Sequence, residues 1–99
     1  MARPLDPEPL WRESLGALLR RLRLARGERL ADTAARAGVS PQYLSEVERG
    51  IKEPSSEMIA AIAGALGVTL LDLTATIALE LRAASAPAAA GASVYALAA

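Results

Sequence analysis

The sequence predicts an all-α protein of five helices, with an extended C-terminal helix and a disordered tail. Its composition is rich in alanine, leucine and arginine, which favour helices, and it contains no Phe and only one Trp. Apolar residues recur at the three- and four-residue spacing of amphipathic helices. Glycine, proline and serine divide the chain at positions that suit helix ends. A chain of 99 residues is therefore expected to form one compact helical domain.

The N-terminal part predicts a short leader followed by one long helix. Residues 1–9 (MARPLDPEP) are expected to be flexible because prolines punctuate them. The first helix begins near Leu10 or Trp11 and runs to Arg26, with Gly27 as its C-terminal stop. This helix opens a predicted domain over residues 10–84.

Two short helices follow, separated by a turn of about three residues around a glycine. The first of them starts at residue 29 or 30 and ends at Ala37, before Gly38. Ser40 then caps a helix that has Pro41 at its first position and runs to Arg49. Two short helices joined in this way are the signature of a helix-turn-helix, in which the second one is the recognition helix.

The C-terminal part predicts two further helices and a tail. A fourth helix starts after Ser55 or Ser56 and ends at Gly67, and Thr69 caps a fifth helix over 69–84 that could extend to Ser85. Residues 85–99 mix Ala, Ser, Pro and Gly without charge, so they are expected to be a disordered tail.

The formal net charge is zero, but the charges are unevenly placed. Residues 20–52 carry eight cations against four anions, whereas residues 53–99 carry one cation against four anions. A local positive excess suits a polyanionic partner, although a solvated helix face would give the same count.

Several classes of function are disfavoured by what the chain lacks. It has no Cys and no His, so thiolate nucleophiles, disulfides, most metal ligands and the commonest general base are missing. We expect no catalytic residues, no metal site, no cofactor and no enzymatic activity. No apolar run approaches the length of about 18 residues needed to span a bilayer, and the N-terminus does not resemble a signal peptide. A cytoplasmic protein is expected.

The stretch from about Leu18 to Leu73 resembles the Cro/CI-type (Xre-like) helix-turn-helix transcriptional regulators, a family with a five-helix fold. Three segments carry the resemblance: LLRRLRLARG at 18–27, AARAGVSPQYLSEVERG at 34–50 and EPSSEMIAAIAGALGVTLLDL at 53–73. The resemblance implies a partner, double-stranded DNA, whose major groove receives the recognition helix. The operator would have two half-sites, bound by a homodimer.

Four residues at the N-terminal end of the recognition helix are expected to face the bases: Pro41, Gln42, Ser45 and Glu46. Gln42 is the best candidate, since its amide can pair bidentately with adenine, and Glu46 could accept from cytosine N4. Alternatively, Glu46 is a solvated residue that phosphate repels.

Four others are expected to contact phosphate: Ser40, Tyr43, Arg49 and Lys52. Tyr43 could instead pack mainly over the turn. The remaining arginines of the basic stretch are treated as generic cations, of which some would steer the protein toward DNA and none is singled out: Arg20, Arg21, Arg26, Arg29 and Arg36.

The resemblance also implies a structural ion pair between Arg23 and Glu48, which would tie the first helix to the recognition helix. The second helix departs from the family pattern. Where the family often has an apolar residue followed by Thr and Gln, the chain has Glu28, Arg29 and Leu30, so the usual Gln contact to phosphate and base is absent. Thr33 stands where a core Leu is usual. This helix is therefore expected to engage DNA less than its counterparts do.

The fifth helix carries more apolar surface than one small core requires, which predicts a dimer interface formed by Leu71, Ile77, Leu79 and Leu81. The alternative is that both apolar faces lie in one core. A second class of function for the same fold is an antitoxin-type protein-interaction module, but the tail lacks the apolar periodicity that such a module would use to fold on a partner.

Within the family, the segment YLSEVERGIKEPSSEMIAAIAGALGV is most similar to actinobacterial ClgR-like and PopR-like regulators of Clp protease genes. The final residues VYALAA resemble the end of the SsrA peptide, which marks bacterial proteins for Clp proteases. We therefore expect Leu97, Ala98 and Ala99 to form a degron read by Clp protease, the alternative being a disordered end without function.

Overall fold

A computed structural model describes residues 10–85, which form five α-helices joined by short turns. Helix α1 spans Trp11–Ala25, α2 spans Leu30–Ala37, α3 spans Pro41–Glu48, α4 spans Ser56–Ala65 and α5 spans Leu70–Ser85. The all-α fold class, the helix order and the helix ends predicted from the sequence are confirmed to within one or two residues. The predicted leader 1–9 and degron residues 97–99 lie outside the described residues, as does all of the predicted tail except Ser85.

The helices enclose one core, to which every helix contributes. Helix α1 packs against α3 and α5, while α2 packs against α3 and α4. The side chains with no exposed surface include Leu15 and Leu19 of α1, Leu44 and Val47 of α3, and Ile62 of α4. Burying a side chain of this kind contributes about 1.5–3 kcal/mol, so the core fixes the orientation of α3.

Side-chain caps define where the later helices begin. The Ser40 hydroxyl accepts from the Tyr43 N–H at 3.0 Å, and Ser55 caps α4 in the same way. Thr69 and Asp72 form a reciprocal capping box at the start of α5, because each side chain accepts from the other's backbone N–H.

The structure corrects one part of the predicted dimer interface. Ile77 is 1% exposed and lies in the core of its own chain, beside Leu73 on the same face of α5. Leu81 is half-buried and packs against that core, whereas Leu71 and Leu79 are 74% and 63% exposed. The prediction was wrong for Ile77, since residues four positions apart on a helix share a face and Leu73 already directs that face inward.

Within residues 10–85, no single helix has both the length and the apolarity needed to cross a bilayer. Helices α4 and α5 meet such a criterion only as a pair, by length and composition, and they are bent by 98° at their junction.

Candidate nucleic-acid interface

Helix α3 stands at the end of a tight turn that exposes its N-terminal half. Gly38 ends α2 with φ of +74°, a left-handed conformation that residues with a Cβ rarely adopt, and the Val39 N–H donates to the Ala34 carbonyl at 3.0 Å. Pro41 then occupies the first helical position, where its missing N–H costs nothing. The turn therefore starts α3 abruptly, with its first residues on the surface.

The four residues predicted to contact bases lie on one side of α3. Pro41 and Gln42 are exposed, and Ser45 and Glu46 are half-buried. The inward side of the same helix carries Leu44 and Val47, both fully buried. The helical repeat thus separates an apolar core face from a polar outer face that could enter a groove.

The four residues predicted to contact phosphate surround that outer face. Ser40 and Lys52 are exposed, at the start of α3 and in the loop after it. Tyr43 is half-buried and packs against the core, which is the packing role that the sequence offered as its alternative. Capping uses the Ser40 oxygen as an acceptor and leaves the hydroxyl proton available to a phosphate. Arg49 is exposed, and its Nε donates to the Ser45 carbonyl at 3.4 Å.

Arg23 and Glu48 form a buried ion pair between α1 and the end of α3. Arg23 Nε donates to Glu48 Oε2 at 2.7 Å, and Arg23 Nη2 donates to Glu48 Oε1 at 2.9 Å. This bidentate geometry is the strong form of the interaction, and both side chains are more than 90% buried. The Glu48 hydrogen bonds raise the pKa of the Arg23 guanidinium above its ordinary value, although burial acts in the opposite direction. The pair expected from the sequence is therefore present, and it connects the two helices.

Two more contacts fix the crossing of α1 and α3. Arg12 Nε, nearer the start of α1 than Arg23, donates to the Gly50 carbonyl at 2.9 Å. Between them, Gly16 brings the helices so close that a Cβ on it would lie 2.3 Å from the Val47 carbonyl oxygen. Gly16 was not among the residues predicted to matter for this site. Its sequence signal is a glycine within a predicted helix, where glycine costs about 1 kcal/mol relative to alanine.

A second polar cluster, the Glu28 cluster, joins the turn after α1 to α2 and α4. The Glu28 carboxylate accepts from Arg36 Nη2 at 2.5 Å, from Thr33 Oγ1 at 2.7 Å and from Arg26 Nε at 3.2 Å. Arg36 also donates to the Ala65 carbonyl at 2.7 Å, which reaches the end of α4. These hydrogen bonds, that of Arg36 above all, lower the pKa of Glu28 to about 2. Thr33 thus replaces the usual core Leu by donating its hydroxyl proton while remaining fully buried.

Within the described part of the chain, no group of three or more acidic side chains is arranged to hold a metal ion. Instead, residues 10–85 present the helix α3, around which amide, hydroxyl and guanidinium groups are exposed.

Comparison with known proteins agrees with this geometry. The helix-turn-helix family model matches residues 19–73, more than half of the chain. The transcriptional regulator ClgR of Mycobacterium tuberculosis is 49% identical over 61 residues, which are 62% of this chain and 54% of that protein. The chain thus matches only about half the length of this relative.

The solved structures that are similar in fold include two regulatory proteins of very different sequence identity. The clp gene regulator ClgR from Corynebacterium glutamicum has a TM-score of 0.74 and 46% identity over 80% of this chain and 84% of that one. The restriction-modification controller protein C.Esp1396I has a TM-score of 0.68 over 75% of this chain and 97% of that one, but only 19% identity, so it supports the fold alone. With the family model and the helix-turn-helix geometry in agreement, the chain belongs to the Xre-like helix-turn-helix family of transcriptional regulators.

Proposed function

We propose that this chain is a homodimeric, sequence-specific regulator that inserts α3 into the major groove of an operator with two half-sites. The observation that carries the proposal is the exposed outer face of α3, held rigid by the Arg23–Glu48 pair and the close contact at Gly16. An α-helix fits the major groove of B-DNA, where every base pair presents a distinct pattern of donors and acceptors. Gln42 reads a base, while Ser40, Arg49 and Lys52 contact phosphates.

A mobility-shift titration of the full chain tests DNA binding directly. Its probes are a fragment of the promoter of its own gene and a shuffled fragment of equal length, each at several salt concentrations. We expect tighter binding to the promoter fragment, weakening steeply with salt as phosphate contacts release counterions. Absent binding, or binding that does not respond to salt, contradicts the proposal.

The homodimer is proposed to form through the outer face of α5. This face carries Leu71 and Leu79, both largely exposed, with the small residues Ala75 and Ala78 between them. Small residues between two leucines allow a second helix to approach closely, and burying both leucines twice in a symmetric dimer contributes several kcal/mol. Ile77 takes no part, because it lies in the core.

Sedimentation of the double variant Leu71→Asp/Leu79→Asp tests this interface. We expect a dimer for the unchanged chain and a monomer for the variant, because two carboxylates on each protomer would be buried without partners. Leu24→Asp is the matched control, since Leu24 is an exposed leucine on a different helix and its substitution should leave the dimer intact. A dimer that survives the double substitution excludes α5 as its interface.

The regulated genes are proposed to include those of the Clp protease. The support is the likeness to the clp gene regulator ClgR from Corynebacterium glutamicum, at 46% identity, and to the transcriptional regulator ClgR of Mycobacterium tuberculosis, at 49% identity. The test is genome-wide occupancy together with transcript levels after deletion of the gene. Occupancy upstream of clp genes with changed clp transcripts supports the proposal, and unchanged clp transcripts refute it.

We further propose that Leu97, Ala98 and Ala99, with a free carboxylate on Ala99, form a degron that hands the regulator to Clp protease. The support is the sequence alone, since these residues lie outside the described part of the chain. Replacing Ala98 and Ala99 with Asp should lengthen the half-life in a Clp-competent cell and leave it unchanged in a Clp-deficient one. An unchanged half-life in the competent cell removes the degron from the proposal.

A further inference from the structure

A cleft of about 700 Å³ opens between α1 and α3, beside the outer face of the recognition helix. Arg20 and Arg21 of α1 line one side, and Ser45 and Arg49 of α3 line the other. Leu30, at the start of α2, and the paired side chains of Arg23 and Glu48 also line the cleft. One wall of the cleft is thus the helix proposed to enter the major groove, and the opposite wall is α1.

Most arginines of the basic stretch are already paired with carboxylates. The pairs are Arg21 with Glu80, Arg23 with Glu48, Arg29 with Asp32, and Arg26 and Arg36 with Glu28. Arg20 differs, because it is exposed and no carboxylate between residues 10 and 85 lies within 4.0 Å of its guanidinium. Arg49 also has no carboxylate partner in that range. Two exposed guanidinium groups with unneutralised charge therefore line the same cleft.

The start of α2 is poorly suited to bind phosphate. Leu30 occupies the first helical position and is half-buried against the core. The preceding backbone N–H, that of Arg29, already donates to the Asp32 carboxylate at 3.0 Å. The same hydrogen bond lowers the pKa of Asp32, which keeps a negative charge in the first turn of the helix. A phosphate at this helix end would meet the apolar Leu30 side chain and the negative charge of the Asp32 carboxylate, which repels it.

We propose that Arg20, together with Arg49, binds a DNA phosphate at the mouth of the α1–α3 cleft, so that α1 supplies the backbone contact that the start of α2 lacks. The inference rests on the proposed function, because it requires α3 to lie in the major groove. The phosphate backbone borders that groove, so a cleft flanking α3 faces it. Guanidinium groups suit this task because their planar donors match phosphate oxygens bidentately.

The cleft also contains apolar surface, from Ala17 and Leu24 of α1, which an acidic peptide with an apolar anchor could cover. DNA is favoured over such a peptide, because one wall of the cleft is the recognition helix itself. Ser45 and Arg49 belong to the recognition helix, so any occupant of the cleft lies directly beside the nucleic acid. An acidic segment held there would face a polyanion at close range.

The experiment measures binding of the full chain to a random-sequence duplex as a function of salt, for the unchanged chain and three variants. Arg20→Gln should lower the slope of log K against log salt by about 0.9, which corresponds to roughly eightfold weaker binding at 0.1 M salt. Arg20→Lys keeps the charge and should restore most of the slope. Arg29→Gln is the matched control, because it removes an exposed arginine that Asp32 already neutralises, and its slope should match that of the unchanged chain.

Each outcome separates this inference from the proposed function. If the unchanged chain does not bind duplex DNA, the proposed function fails. If it binds and Arg20→Gln has an unchanged slope, only the inference is overturned. It is also overturned if Arg29→Gln lowers the slope and Arg20→Gln does not. Binding of a synthetic Asp/Glu-rich peptide is measured in parallel, and the inference is likewise overturned if Arg20→Gln loses only this peptide binding. Circular dichroism of each variant checks that the helices are intact.

Discussion

At the scale of single residues, Gln42 is the side chain on which sequence preference should depend. It is exposed in the first turn of α3, and its amide can pair bidentately with one adenine. Replacing Gln42 with Ala should reduce discrimination at one base position by about 1–3 kcal/mol and leave affinity for random DNA nearly unchanged. Binding to a set of operator variants, each altered at one base pair, measures this difference.

Lys52 is expected to behave in the opposite way. It is exposed in the loop after α3, outside the helix proposed to enter the groove, so we expect its ammonium to contact a phosphate rather than a base edge. Lys52→Ala should weaken binding to all sequences about equally and lower the salt slope by about 0.9. Equal losses on specific and random DNA for Gln42→Ala, or a selective loss for Lys52→Ala, would show that the two roles are wrongly assigned.

The Arg23–Glu48 pair makes a separate prediction about stability. Glu48→Ala should lower the free energy of unfolding by about 3–5 kcal/mol, because it leaves a guanidinium buried without its carboxylate. Replacing both residues with Met removes the unpaired charge and should cost far less than the single substitution. Urea unfolding of the two variants measures the difference, and a double variant no more stable than Glu48→Ala would contradict the argument.

At the scale of helices, the crossing of α1 and α3 depends on Gly16. A Cβ at this position would lie 2.3 Å from the Val47 carbonyl oxygen and 2.6 Å from that of Glu48, both of them backbone atoms. Gly16→Ala should therefore push α3 away from α1, destabilise the fold by about 1–3 kcal/mol and weaken DNA binding as well. Thermal unfolding and a mobility-shift titration provide the two measurements.

Gly64 of α4 offers a matched control, since a Cβ there meets no atom within 4 Å. Gly64→Ala should raise the free energy of unfolding by about 0.5–1 kcal/mol, because alanine favours the helix and nothing has to move. A destabilised Gly64→Ala, or a Gly16→Ala as stable as the unchanged chain, would show that helix propensity rather than close packing decides the effect.

The ends of the helices could be predicted from the sequence, whereas the contacts between helices could not. Caps and helix ends were predictable because they follow local rules, as with Ser40 before Pro41 or Gly38 after α2. Ile77 was placed wrongly, because which apolar face of α5 turns inward depends on the packing of α1 and α4 against it. The Glu28 cluster was not foreseen either. Its members come from different segments, and no local pattern brings Glu28 to Arg36.

At the scale of the whole molecule, α1 is the element that connects the two proposed functions. It contacts α3 on one side and α5 on the other, and Arg21 bonds to Glu80 of α5 at 2.6 Å. The helix proposed to read DNA and the helix proposed to form the dimer are therefore held in one frame. Such a frame fixes the distance between the two recognition helices of a dimer, which must match half-sites one turn of DNA apart.

The Glu28 cluster spans this frame, because it joins the turn after α1 to α2 and to the end of α4. The lowered pKa of the Glu28 carboxylate makes the stability of the folded chain depend on pH. The carboxylate has an ordinary pKa of 4.5, which the cluster lowers to about 2 in the folded chain. Between these values the unfolded chain binds a proton that the folded chain does not, so the free energy of unfolding falls as the pH falls. The contribution of the Glu28 carboxylate to the free energy of unfolding is complete above pH 4.5 and is lost as the pH approaches 2.

Urea unfolding between pH 6 and pH 2 should therefore show a smaller loss of stability on acidification for Glu28→Gln than for the unchanged chain. The glutamine variant should already be less stable at pH 6, since it removes the charged acceptor of Arg36. Glu57→Gln is the control, because it removes an exposed carboxylate that forms no ion pair with any of the residues 10–85. If Glu28→Gln and the unchanged chain lose stability in parallel, the cluster does not set the acid sensitivity, and the carboxylates that do must lie elsewhere in the chain.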